Sequence, residues 1–126
     1  MTQPITGIFV PHIVPYDASG KINEGELRNI INWLGEKGIT GFYPNGSMGE
    51  FIRLSYEERK RVVKIVSEEA NGKPILAGAA EPNVDLVLEM CNHCASTIKG
   101  STIKGHPNTE RTKLGKHLLS NIKIPG

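Results

Sequence analysis

Ile39-Thr40-Gly41-Phe42-Tyr43 is a short apolar run that opens directly into the polar, glycine-rich loop Pro44-Asn45-Gly46-Ser47-Met48-Gly49-Glu50. Ser55 and Glu58 follow at capping-box spacing, and Val62, Ile65, Val66 and Glu69 recur at helical spacing until Asn71-Gly72 closes the segment. Pro74-Ile75-Leu76-Ala77-Gly78-Ala79 is then a second apolar run. Strand, loop, crossover helix and strand in that order predict a parallel pair, since parallel strands need a long connection.

The same unit extends in both directions. Upstream, Gly7-Ile8-Phe9-Val10 continues through Pro11 and His12 to Ile13-Val14 and stops at Pro15-Tyr16-Asp17, ahead of the turn residues Ser19-Gly20. It reads as a buried strand followed by a loop. Asn23 can cap the next helix with Glu26 as its box partner; Leu27, Ile30, Ile31 and Leu34 share one face, and Gly38 ends it. Downstream, Asn83 can cap a third helix carrying Val84, Val87, Leu88 and Cys91. Three strand-then-helix units before residue 95 predict an α/β fold with a parallel sheet.

After Ala95 the regularity breaks. Ser96-Thr97-Ile98-Lys99-Gly100 is repeated at once as Ser101-Thr102-Ile103-Lys104-Gly105, a pentad too short to be a structural repeat. Residues 1–95 are therefore expected to form the βα units. Residues 96–126 are expected to be an irregular tail, with a short helix over Lys113 to Leu119 and a strand start at Ile122-Lys123-Ile124.

Composition narrows the function classes. Of the residues, 38% are hydrophobic and 22% charged, as in soluble globular domains, and the net charge of +2 is dispersed except at Arg59-Lys60-Arg61. Neither nucleic acid nor a membrane is implied as a partner, and a cytoplasmic location is the expectation. Cys91 and Cys94 form one CxxC; with no second pair to complete a zinc site, two reduced, at least half-buried thiols are expected, and no metal. His93 is expected on the surface of the same helix.

The loop after the second strand attracts chemistry. Parallel α/β folds place ligands just past the carboxyl ends of their strands, and the glycines flanking Ser47 and Met48 would let backbone amides converge on a carboxylate or phosphate. No dinucleotide fingerprint or P-loop competes, and no cofactor is expected.

Taken together, Gly46-Ser47-Met48-Gly49-Glu50, the earlier Pro15-Tyr16, and the later Leu54-Ser55-x-Glu57-Glu58-Arg59 resemble the dihydrodipicolinate synthase and N-acetylneuraminate lyase family in order and spacing. Trp33-Leu34-x-Glu36-x-Gly38 and the Pro74–Gly78 strand are similar too, so the resemblance covers roughly residues 5 to 95. It implies a partial TIM (β/α)8 barrel of about three βα units plus an irregular fourth, because a complete barrel takes ~250 residues. It also implies pyruvate-dependent class I aldolase chemistry: a lysine forms a Schiff base with the keto carbon of pyruvate, and a carbon–carbon bond is made or broken next to it. The substrate-binding residues would be Gly46, Ser47, Met48 and Gly49, whose amides would hold the oxo-acid carboxylate. Ser47 would relay protons through a tyrosine, and Glu50, Pro15 and Tyr16 would be structural.

Departures from that pattern matter as well. Met48 stands where the family offers a hydroxyl, Val14 where it has a threonine, and Ala80-Glu81-Pro82 replaces a glycine-rich turn. The family's fourth-strand tyrosine and Schiff-base lysine fall beyond the matching region, and the ten lysines here match neither position. The expected function is thus that of a truncated lyase-family member, retaining the carboxylate loop but inactive alone. The alternative is a non-catalytic partial barrel that binds an oxo-acid or pairs with itself or a full-length relative.

Overall fold

The computed structural model describes residues 5–98. The pentad repeat beyond Ile98, the Lys113–Leu119 helix and the last strand start lie outside them. In chain order the elements are β1 (Phe9–Val10), α1 (Glu24–Gly35), β2 (Gly41–Phe42), two short 3-10 turns (Ser47–Gly49 and Phe51–Arg53), α2 (Tyr56–Glu69) and α3 (Val84–Thr97). β1 and β2 are parallel, with Phe9 opposite Gly41 and Val10 opposite Phe42. The expected third strand is reduced to a parallel bridge between Phe42 and Ile75, but its hydrogen bonds continue the ladder. Phe42 N–H donates to Pro74 O at 3.1 Å, Leu76 N–H to Phe42 O at 2.9 Å, and Gly78 N–H to Pro44 O at 2.9 Å. Alternating strands and helices around a sheet that does not close make this a partial (β/α) barrel.

The helices start where the caps predict, for two different reasons. Ser55 and Glu58 form a full capping box: Glu58 N–H donates to Ser55 Oγ at 3.2 Å, and Ser55 N–H donates to Glu58 Oε2 at 2.7 Å. Asn23 accepts from Glu26 N–H at 3.1 Å, but Glu26 does not reach back. The Asn23 N–H instead donates to Pro15 O at 2.9 Å, so the β1–α1 loop does the work expected of the carboxylate. Asn23 is thus a cap without its box.

The core lies between sheet and helices, where Leu27 and Ile31 of α1, Phe42 of β2 and Val62, Val63, Ile65 and Val66 of α2 are all fully buried. Two expectations about burial need correction. The first apolar run is not buried throughout: Phe9 and Val10 of β1 are half-buried, and around them His12 and Val14 are buried while Ile8 and Ile13 are exposed. On α3 the buried residues are Met90, Cys94 and Ala95, whereas of the expected Val84, Val87, Leu88 and Cys91 the first is exposed and the other three half-buried, because α2 is the neighbour that sets the contact line. α3 also runs on through Thr97, two residues into the first pentad.

Ion pairs stitch the helix layer. Arg28 of α1 pairs with Glu68 at 2.6 Å and with Glu69 of α2, Arg61 binds Glu24, and Lys60 reaches Glu89 of α3 at 2.6 Å. No helix among the described residues is long and apolar enough to cross a membrane.

Candidate functional site

The loop that follows β2 is built from both ends. Tyr43 lays its ring against Gly46, where a Cβ would come within 2.6 Å of Tyr43 Cε1. Pro44 and Asn45 are buried, and Asn45 adopts a left-handed φ of 59°. Gly46 is extended, Ser47–Gly49 make one 3-10 turn, and Glu50 at φ 52° reverses the chain into the next. Gly49 N–H donates to Gly46 O at 3.1 Å and Glu50 N–H to Ser47 O at 3.0 Å. The amides of Ser47 and Met48 donate to no described residue.

The reason for the glycines differs from the one the sequence suggests. Positive φ falls on the neighbours Asn45 and Glu50, not on Gly46 or Gly49. Gly46 and Gly49 are needed for close approach: a Cβ at Gly49 would lie 3.2 Å from the His12 carbonyl oxygen, so the loop packs directly on the segment that follows β1. Ser47 and Met48 are left exposed at the surface this creates, beside a recess of about 340 Å³ lined by Ser47, Glu50, Phe51, Ile52 and Arg53.

The residues grouped with the loop as structural are nearby in different ways. Glu50 links the two turns through its backbone, its carbonyl accepting from Arg53 N–H at 2.8 Å, while its exposed carboxylate pairs loosely with Arg53 at 3.7 Å. Arg53 stacks over the Tyr16 ring at 4.5 Å. The Tyr16 hydroxyl is buried with no partner among the described residues, and desolvation, partly offset by Arg53, raises its pKa. Pro15 acts through its carbonyl, which holds Asn23.

Two polar residues near the loop escaped the list of candidates. His12 is buried; its Nδ1–H donates to Ile13 O at 2.9 Å, which leaves Nε2 as the lone-pair nitrogen with no described partner. Burial lowers its pKa, against the bond to Ile13, so the ring is neutral. Asn45 had a legible signal, since Pro-Asn-Gly marks a turn and asparagine tolerates the left-handed region. Nothing in the pattern around His12 distinguishes it from an exposed strand residue.

The cysteines sit away from the loop, on α3. Cys94 is buried, its thiol pushed up to about 12 by desolvation and then by Cys91, and both thiols are free. His93 is not on the open surface: it faces α2, with Nε2 3.2 Å from the Lys60 carbonyl. Among the described residues no three His, Cys, Asp or Glu side chains are grouped to hold a metal ion.

A parallel βα repeat with an exposed loop at the carboxyl end of its second strand defines the class as a barrel-type α/β protein with a strand-end site. The family model for the dihydrodipicolinate synthetase family matches residues 4–98, and the chain belongs to that family. It is 34% identical over 90 residues to the 4-hydroxy-tetrahydrodipicolinate synthase of Brucella suis biovar 1 (strain 1330), and 36% identical over 89 residues to that of Methanothrix thermoacetophila. Each alignment takes in 71% of this chain, but only 31% and 30% of those enzymes. The fold is similar to that of dihydrodipicolinate synthase from Aquifex aeolicus, with TM-score 0.80 at 20% identity over 96% of this chain and 43% of that one. N-acetylneuraminate lyase from Mycoplasma synoviae is similar at TM-score 0.77 and 25% identity, over 94% of this chain and 43% of the lyase. The chain thus spans about a third of the length of the curated relatives it matches.

Proposed function

We propose that this chain carries the oxo-acid loop of a pyruvate-dependent carbon–carbon lyase, and that the 126-residue chain alone binds such an acid without forming an imine. The observation that supports it is the pair of unpaired amides at Ser47 and Met48, within a family loop at the carboxyl end of β2. Two N–H donors suit the two oxygens of a carboxylate, and the adjacent Ser47 hydroxyl would move a proton at the substrate oxygen. Met48 supplies its amide but no hydroxyl, so affinity would be lower than with a third donor.

Lys60 and Lys73 do not suit nucleophilic attack. A Schiff-base lysine works best with a depressed pKa, whereas Lys60 is held by Glu89, which raises its pKa, and Lys73 Nζ donates to Ile39 O at 3.2 Å. Pyruvate titrated into labelled protein is expected to shift the Ser47 and Met48 amide resonances, and borohydride added to the mixture to leave the intact mass unchanged. A spectrum indifferent to pyruvate would end the loop reading; a pyruvyl adduct would end the claim that the chain makes no imine.

A second reading, a partial barrel that acts by association with itself or a longer relative, draws on Ile8, Ile13 and Ile52, which are 66%, 54% and 87% exposed. Sedimentation at rising concentration tests it: a monomer throughout, unaffected by a full-length relative, would remove it.

A further inference from the structure

Arg59 belongs to the Leu54–Arg59 motif, yet nothing above gives it a task. Its main-chain carbonyl accepts from Asn45 Nδ2–H at 3.2 Å, tying the first turn of α2 to the residue just before Gly46. Its side chain runs the other way: Nη1 donates to Ala80 O at 3.0 Å, and Nη2 pairs with Glu81 at 2.6 Å with both side chains largely out of solvent. Between these anchors, Gly78 N–H donates to Pro44 O, and Gly78 lies so close to the Asn45 carbonyl that a Cβ would meet it at 2.4 Å. The carboxyl ends of the second and third strand segments are therefore clamped to each other and to α2 at Asn45 and Arg59.

The clamp carries visible costs. Asn45 is a non-glycine residue at positive φ, 4% exposed, with Oδ1 unpaired, and Arg59 Nε is likewise buried and unpaired among the described residues. Conformations of this kind persist where the surroundings over-determine them, and they gather at functional sites. A turn serving only to reverse the chain would be cheaper with glycine at position 45 and an apolar side chain at 59.

We infer that Asn45 and Arg59 are positioning residues for the oxo-acid loop, setting the direction of the Ser47 and Met48 amides by clamping residue 45 against α2 and the Ala80–Glu81 turn. The inference rests on the reading of that loop as an oxo-acid site. Three variants test it: Asn45→Gly keeps the backbone conformation and loses the side chain; Asn45→Asp keeps size and turn preference and loses the donor; Arg59→Lys leaves the loop sequence untouched and loses the two-armed grip. Ile65→Val serves as a control, weakening the core away from the clamp.

Hydrogen exchange is read at Gly49 and Glu50, whose amides close the turn, alongside pyruvate affinity by amide-shift titration. Exchange about tenfold faster, and pyruvate bound about tenfold more weakly, are expected in all three variants and not in the control. Wild-type exchange in the three variants would overturn the clamp. Faster exchange with unchanged affinity would overturn its link to binding. If wild-type protein binds no pyruvate, the site reading fails, and the exchange rates still decide whether the clamp holds the loop.

Discussion

Glu26 and Glu58 occupy the same sequence position relative to their helices, three residues after Asn23 and Ser55, and substituting each by alanine should give unequal results. Both changes remove a negative charge from a first helical turn, a loss of about 0.3–1 kcal/mol in either helix. Glu58→Ala also strands the Ser55 N–H, which donates to Glu58 Oε2 at 2.7 Å. That site is exposed and water replaces part of the bond, so the additional loss is about 1 kcal/mol rather than the larger value of a buried charged bond. Glu26→Ala strands nothing on the main chain, because the Asn23 N–H is held by Pro15 O at 2.9 Å; it removes only a 3.4 Å contact from Asn29. In a domain of this size, a 1 kcal/mol difference separates the melting temperatures by about 4–8 °C. Urea unfolding should therefore show a lower midpoint for Glu58→Ala than for Glu26→Ala at equal slope. Equal losses would refute the reasoning, as would a larger loss from Glu26→Ala, since either would mean that the loop carbonyl does not substitute for the carboxylate.

Other expectations follow from burial and close approach. Gly46→Ala drives a methyl to within 2.6 Å of the Tyr43 ring and should cost about 1–3 kcal/mol in thermal unfolding while abolishing the pyruvate-induced shifts; an unshifted melt would show that the ring moves freely. His12 is buried neutral with a folded pKa below its ordinary 6.5, so the unfolded chain holds more protons between those values. Stability should accordingly decline as pH falls from about 6.5 and level off below the folded value, and His12→Leu should flatten that decline; an equally steep decline in the variant would place the dependence elsewhere. Cys94, 3% exposed with its thiol pushed up to about 12, should resist alkylation at pH 8 in the native chain and react once the chain is unfolded. Prompt native labelling at Cys94, mapped by peptide mass, would contradict its burial.

Much of this molecule can be read locally. Ser55 and Glu58 carry their own bonding information within one turn of helix, and the periodic apolar residues of α1 and α2 place Leu27, Ile31, Val62, Ile65 and Val66 against the sheet as spaced. The order of runs sets parallel pairing, and Gly46–Glu50 with its flanking motifs points to the family and to the loop. Each of these signals depends on residues near one another in the chain.

What the sequence by itself determined is therefore, among the described residues, the three helices, the first two strands, their order and the position of the loop, because caps and periodicities are short-range properties. The tertiary structure decided which partner satisfied each group. It put the Pro15 carbonyl where Glu26 was expected and turned α3 so that Met90 and Cys94 face inward. It assigned Gly46 and Gly49 to close contacts with Tyr43 and His12, and it joined Asn45 to Arg59 and Arg59 to Glu81. Most of those contacts, such as His12 with Gly49 and Arg59 with Glu81, link residues distant along the chain, and burial and hydrogen bonding act on whatever folding brings within reach, which no local pattern encodes.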